Sequence, residues 1–303
     1  MIDLNKLEKI CKKYGAEYEL NAPLAPYTTF KIGGACDFLV KVNYIGLLQK
    51  IVQTGVSYRV LGNGSNVLVS DEGVRGVVFL IGSDLAKIEV TGDEHGDWIH
   101  CEAGASLTNL CLAARDAGLT GLEFAYGIPG SVGGAIYMNA GAYGGEMSNV
   151  VSAVNYFDEN ADDGFGTYIS DSADFGYRKS PFMGTKKIIT YASFELQKGD
   201  KAQITAKMND FMQRRRDKQP LEFPSAGSTF KRPEGDYASR LIDVCGLKGF
   251  TVGGAQVSEK HAGFVINKGG ATCKDVLTLI EAVRERVFKE TGIMLEREVE
   301  VIK

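Results

Sequence analysis

Glycine is the residue that most limits what this chain can become. There are 37 glycines among 303 residues and only 7 prolines, about 12% against a usual 7%, with no collagen-like period. They gather in Leu61-Gly62-Asn63-Gly64-Ser65-Asn66 and in Gly127-Ile128-Pro129-Gly130-Ser131-Val132-Gly133-Gly134, with Gly141, Gly144 and Gly145 close behind. Neither cluster matches G-x-G-x-x-G. The first leads into Val67-Leu68-Val69 and a Ser-Asp-Glu-Gly turn, so the strand-to-helix setting of a Rossmann fingerprint is missing, and no Gly-Lys-Ser/Thr follows to make a P-loop. Two readings remain for each loop: hairpin and bulge glycines, or backbone N–H groups that converge on an anion, helped by the short donors Ser65, Asn66 and Ser131. Two such loops together suit a diphosphate. They favour a dinucleotide held in an α+β domain by loop backbone rather than by a helix dipole.

The length suggests about two compact units. Hydrophobic residues at 44% and charged residues at 24% allow a core large enough to exclude disorder as a description of the whole. The net charge of −4 offers no field for phosphodiester backbones, which disfavours a general nucleic-acid binder. Six cysteines, at 11, 36, 101, 111, 245 and 273, form no C-x-x-C pair and lie near no histidine at ligand spacing. They read as reduced, mostly buried thiols of a cytoplasmic protein with no metal site. The N-terminal stretch has no apolar core of signal-peptide length, and runs such as Val77–Ile81 are too short to span a membrane.

Apolar spacing predicts helices at 4–14 behind Asp3, at 43–54, from a Ser106 cap to Gly118, at 201–216, at 236–245 and at 272–290. Strands are expected at 38–42, 58–61, 67–69, 77–81, 88–91, 98–102, 150–157, 166–170, 187–196, 251–257, 263–266 and 297–302. A βαβ-like opening is followed by β-rich chain, then a polar break at Lys198-Gly199-Asp200-Lys201. A boundary near 200 gives domains 1–200 and 201–303, the second a smaller α+β unit. Arg214-Arg215-Arg216 are read as cations complementing a helix C-terminus rather than as a phosphate site.

Tyr27-Thr28-Thr29-Phe30-Lys31-Ile32-Gly33-Gly34, the two glycine loops and Asn139-Ala140-Gly141-Ala142-Tyr143-Gly144 closely resemble the UDP-N-acetylenolpyruvoylglucosamine reductase family of bacterial cell-wall synthesis. Tyr177-Arg178-Lys179-Ser180, Pro224-Ser225-Ala226-Gly227-Ser228-Thr229-Phe230-Lys231 and Leu295-Glu296-Arg297-Glu298-Val299 are similar to its three catalytic segments, in order. The resemblance implies an FAD-binding domain of the vanillyl-alcohol-oxidase-like (PCMH) type, built from two α/β subdomains at about 1–65 and 66–200. A substrate-binding domain follows, its final strand returning towards the active site. It also implies noncovalent FAD, NADPH as co-substrate, and hydride delivery to UDP-N-acetylglucosamine enolpyruvate.

The cofactor-binding residues implied are Gly62, Asn63, Gly64, Ser65, Asn66, Gly127, Ile128, Pro129, Gly130, Ser131, Gly133, Gly134, Asn139, Ala140 and Gly141. Hydride addition beta to a carboxylate leaves an enolate, which needs preorganised donors. Arg178 supplies a fixed cation, Glu298 a further hydrogen bond as a carboxylic acid, and Ser228 the proton for the alpha carbon, with Lys231 easing the alkoxide. Residues 296 and 298 face the same way on a strand, so spacing does not separate the two glutamates; likeness to the family's closing motif selects Glu298. Tyr177, Lys231, Arg232 and His261 are candidate substrate contacts, while His95 and His100 carry no role. A hydrolytic triad is disfavoured, because Ser228 lacks a G-x-S-x-G setting and the chain has three histidines. The stretch 196–220 resembles the shorter family type without a central insertion, which leaves closure of the site open. The rival readings are a flavin oxidase of the same superfamily and a non-catalytic nucleotide-sugar binding module.

Overall fold

The computed structural model describes residues 3–93, 96–161 and 163–303, which fall into two compact units. The first is Met1–Glu19, Phe38–Asn63 and Gly76–Arg214; the second is Leu20–Asp37, Gly64–Arg75 and Arg215–Lys303. Each has its own apolar core.

In the first unit α1 (Leu4–Tyr14) starts where the Asp3 side chain accepts the Lys6 N–H and stops at Gly15, which is left-handed at φ 63°, as its sequence predicts. Leu7 and Cys11 are its buried face. The βαβ-like opening is a strand Ala35–Lys41, α2 (Ile45–Val52) and a strand Tyr58–Leu61. Val74–Leu80 lies between the two strands in the sheet, pairing parallel with the second, Tyr58 opposite Val77 and Leu61 opposite Leu80. Beyond this an antiparallel sheet is centred on Ile188–Lys198, with Val151–Phe157 and then Phe165–Ile169 on one side, and Gly96–Glu102 and then Ile88–Asp93 on the other. Leu119–Thr120 pairs with the far end of the central strand. α3 (Leu107–Asp116) is capped by Ser106, whose Oγ accepts the Asn109 N–H at 3.1 Å.

The glycine-dense stretch, which carries no helix in the sequence reading, contains a six-residue one: α4 (Val132–Tyr137), with Ser131 as its N-cap. Two glycines in its first turn hide it from propensity reasoning, since each costs roughly 1 kcal/mol against alanine. α5 (Lys201–Lys218) follows the polar break at 198–201, but its Ile204 and Met208 are buried in the core of the first unit. The chain therefore does not change unit at 200, where the sequence suggests a single cut.

The second unit contains α6 (Ala238–Val244), α7 (Cys273–Thr291) and an antiparallel sheet ordered Ser225–Ser228, Phe264–Asn267, Ala255–Val257, Thr251–Val252. The expected strand at 251–257 is thus two strands around a Gly253-Gly254 turn. Val67–Val69 pairs in parallel with Glu300–Ile302, and Phe30, Ile32 and Leu68 share a core with Ile242, Val265, Ile280 and Leu295. These contacts attach residues 20–37 and 64–75 to the C-terminal part of the chain. α7 opens with a capping box between Thr272 and Asp275. Asp71 adds a second anchor, its two carboxylate oxygens accepting the N–H groups of Cys273 at 2.7 Å and Lys274 at 2.9 Å. Ahead of Glu300 only Arg297 makes an isolated bridge, to Phe230, so the expected strand 297–302 is shorter and residues 296–298 lie outside it.

Candidate active site

In the first unit the start of one glycine loop meets the other. Asn63 Nδ2 donates to the carbonyl of Pro129, and a Cβ on Gly62 would collide with Ser131 Oγ. The second loop is held from behind: Leu107 N–H donates to Gly130 O at 3.0 Å, Val132 N–H to Ala105 O at 2.8 Å and Gly133 N–H to Ala103 O at 2.8 Å. Ser131 Oγ accepts the Gly134 N–H at 3.3 Å as the cap of α4. Among the described residues, the backbone N–H groups of Asn63, Gly130 and Ser131 donate to no group of the protein. Backbone donors left over where two glycine loops touch fit an anionic ligand such as the diphosphate of a dinucleotide. The short helix behind Ser131 modifies the expectation of a cradle made by loop backbone alone. Ile128 is half-buried, Pro129 and Gly134 are exposed and Gly127 is left-handed at φ 83°.

Asn139 behaves differently from the other expected cofactor residues. It is 0% exposed, its Nδ2 donates to Gly176 O at 3.0 Å and its Oδ1 accepts the Ser148 N–H at 3.0 Å. Both ends of the amide serve the frame of the site. The neighbouring Ala140 and Gly141 are half-buried, and Gly141 O accepts Arg178 Nη2 at 3.1 Å. Gly176 and Lys179 exchange backbone hydrogen bonds of 3.1 and 3.0 Å, closing a turn in which Arg178 is left-handed at φ 55°. A non-glycine residue in that region costs about 1–3 kcal/mol and persists where the surroundings over-determine it. The guanidinium lies 5.0 Å from the ring centre of the exposed Tyr177.

The second unit brings together the other candidates. Gly64 is left-handed at φ 60°, and a Cβ there would collide with Tyr27 O and lie 2.8 Å from Thr28 Cα. The packing of the Tyr27–Thr29 motif against this loop therefore requires glycine. The Gly64 and Ser65 N–H groups also make no hydrogen bond among the described residues. Asn66 Nδ2 donates to Glu298 O at 3.3 Å. The strand Ser225–Ser228 loses register between its ends against Phe264–Asn267, and Gly227 at φ 73° turns the exposed Ser228 outward, as bulges beside functional sites do.

Lys231 N–H donates to Glu296 O at 2.8 Å and Glu298 N–H to Thr229 O at 2.9 Å, so 229–231 runs alongside 296–298. The two glutamates differ. Glu296 is 74% exposed at its side chain and pairs with Lys231 Nζ at 3.3 Å, whereas Glu298 is half-buried. Exposure thus separates the two glutamates where spacing does not. Thr229, absent from the sequence candidates, is the buried pivot: its N–H donates to Gly263 O at 2.8 Å and its Oγ1 accepts the Val265 N–H at 2.9 Å.

Arg232 lies over the Tyr237 ring at 4.2 Å and is exposed. His261 is half-buried; its Nδ1 accepts the Gly263 N–H at 3.2 Å and its ring packs edge-on to Phe264. Burial holds its pKa below the ordinary imidazole value, helped by Lys248 and Lys218. His100 bonds Thr91 Oγ1 at 3.1 Å and Ser193 Oγ at 2.9 Å inside the sheet, and His95 lies outside the described residues. Five of the six thiols are buried and Cys245 is half-buried; burial pushes Cys11 up to about 11 and Cys101 to about 12. Among the described residues no group of three His, Cys, Asp or Glu side chains is placed to hold a metal ion, and no helix is long and apolar enough to cross a membrane.

Two family models match the chain: an FAD binding domain over residues 44–162 and the C-terminal domain of UDP-N-acetylenolpyruvoylglucosamine reductase over 219–302. A curated UDP-N-acetylenolpyruvoylglucosamine reductase of Clostridium novyi is 45% identical over 309 residues, covering 99% of this chain and 97% of the relative. One from Caldanaerobacter subterraneus is 45% identical over 303 residues with the same coverage. The solved UDP-N-acetylenolpyruvylglucosamine reductase of Thermus caldophilus superposes with a TM-score of 0.79 at 40% identity, covering 95% of this chain and 99% of that one.

Proposed function

Since the chain belongs to the UDP-N-acetylenolpyruvoylglucosamine reductase family, we propose that it reduces UDP-N-acetylglucosamine enolpyruvate to UDP-N-acetylmuramate, with bound FAD and NADPH, in peptidoglycan precursor synthesis. The observation that carries this is likeness over nearly the whole chain, both halves included. A cytoplasmic location goes with it. Bound FAD would supply the hydride chemistry that links NADPH to the substrate carbon beta to the carboxylate.

The protein's part is to hold the nucleotide and manage charge. The unpaired N–H groups of Asn63, Gly130 and Ser131 suit the FAD diphosphate. Arg178 grips the substrate carboxylate with a planar fork that cannot lose its charge, so the enolate develops against a fixed cation. Glu298, acting as a carboxylic acid, donates a second hydrogen bond. Ser228 Oγ hands its proton to the alpha carbon, which a weak acid can do because an enolate is a strong base. Lys231 steadies the resulting alkoxide, and to do so its ammonium leaves the surface pairing with Glu296. Tyr177, Arg232 and His261 complete the substrate contacts in this reading.

The test is direct. Purified protein reconstituted with FAD should absorb as a flavoprotein, release the flavin on acid precipitation, and oxidise NADPH only when the enolpyruvyl sugar nucleotide is added. Failure to take up flavin, or oxidation indifferent to the substrate, would reject it.

A further inference from the structure

Within the first unit, side-chain hydrogen bonds strap the segment 137–141 to the Arg178 turn. Ser180 Oγ donates to Tyr137 O at 2.7 Å, Asn139 Nδ2 to Gly176 O at 3.0 Å and Arg178 Nη2 to Gly141 O at 3.1 Å. The middle bond comes from a side chain that is 0% exposed. We propose that Asn139 is a positioning residue for Arg178 and not a cofactor ligand; the inference rests on the reductase reading above.

The position makes two demands at once. Its backbone is left-handed at φ 44°, a region that asparagine tolerates better than most side chains. It also needs a donor for Gly176 O and an acceptor for the Ser148 N–H, and a carboxamide offers both, on two separate atoms. Gly176 O is the acceptor of the Lys179 N–H that closes the turn. Holding that carbonyl from a second direction fixes the plane from which Tyr177 and the left-handed Arg178 project. An arginine at φ 55° relaxes to commoner backbone unless its turn is pinned at both ends, and Asn139 at Gly176 with Ser180 at Tyr137 are those two pins. Both polar atoms of the Asn139 side chain are engaged within the protein, and at 0% exposure the side chain offers no surface to a cofactor.

Asn139→Gly keeps the left-handed backbone without strain and deletes the amide. In the FAD-loaded enzyme we expect kcat to fall about 10- to 100-fold, the scale for a catalytic group displaced by about an ångström. FAD affinity and flavin reduction by NADPH should stay within about twofold. Amide hydrogen exchange should rise over 176–180. In an Arg178→Ala background the same change should cost less than about twofold, because the group being positioned is gone. An equal loss in both backgrounds, FAD affinity falling in step with kcat, or unchanged exchange over 176–180 overturns the proposal. Should the glycine variant not fold, Ser180→Ala removes the other pin with a smaller volume change. It should lower kcat less, again only when Arg178 is present, and an additive effect counts against the inference. A parent enzyme that ignores the enolpyruvyl substrate would instead sink the functional reading, while the exchange measurement would still decide the strap.

Discussion

The backbone of Glu298 is held on both sides: its N–H donates to Thr229 O at 2.9 Å and its carbonyl accepts Asn66 Nδ2 at 3.3 Å. Thr229 is the next residue after Ser228, so the proposed acid and the proposed proton donor are fixed in register by a backbone bond, and the glycine loop ending at Asn66 is tied to the same point. Glu296, two residues earlier, has its side chain at the surface.

That contrast makes the two glutamates separable. Glu298→Ala should lower kcat by roughly 10²-fold, the low end for losing one donor to a developing anion. Glu296→Ala should change it by less than about threefold, because an exposed ion pair is worth about 0–1 kcal/mol. Steady-state kinetics on both variants checks this, and losses of equal size would remove Glu298 from its role.

Arg178→Ala should lose roughly 10²–10³ in turnover. Ser228→Ala acts later in the reaction: NADPH should still bleach the flavin at the parental rate, while product formation is blocked. Stopped-flow absorbance separates the two half-reactions, and a Ser228 variant that completes both would retire the proton-donor assignment.

Gly62→Ala forces a methyl group onto Ser131 Oγ, the atom that caps α4 through the Gly134 N–H. Overpacking of this kind costs about 1–3 kcal/mol. FAD titration should show weaker binding, and the melting temperature should fall. Parental affinity would mean that the contact between the two loops does not shape the cofactor site.

Asp71→Ala removes the carboxylate that accepts the first two N–H groups of α7. The Thr272 and Asp275 capping box remains, so a loss of about 1 kcal/mol is expected, within the usual range for a helix cap. Denaturant unfolding checks it. An unchanged midpoint would show that the box alone satisfies this helix end.

Legibility followed periodicity and stopped where backbone geometry took over. α1, α3 and α7 have caps and apolar spacing that the sequence displays, and Tyr58–Leu61 has the predicted bounds. The strand Tyr18–Pro23 escaped because five of its six residues are exposed or half-buried, leaving no alternation to read. Ser225–Ser228 escaped because serine and glycine are poor strand formers. Gly62 and Gly64 were legible as loop glycines, but what each would strike was not, since Ser131 and Tyr27 are distant in sequence. In the sequence Asn139 stands out only as part of a motif. The signal for its separate role is an asparagine two residues past a helix end, where left-handed backbone is common, and that signal does not say which carbonyl the amide will reach. Family likeness selects Glu298; its burial relative to Glu296 is a tertiary fact.

His261 gives a pH dependence whose sign can be worked out. Its pKa is lowered by burial, and its Nδ1 already accepts the Gly263 N–H at 3.2 Å, which a protonated Nδ1 cannot do. In the unfolded chain the imidazole titrates at about 6.5. Between that value and the lower folded one the unfolded state binds more protons, so stability rises with pH across the window. The contribution is full above pH about 6.5, declines as pH falls below it, and is lost once the pH has passed the folded value. His261→Gln removes this titration. Melting temperatures of parent and variant, measured from pH 7.5 down to 5, should converge or cross as the parent loses stability relative to the variant on the acid side. Parallel curves would show that the ring is free to protonate in the folded state, and that the Gly263 hydrogen bond does not hold it neutral.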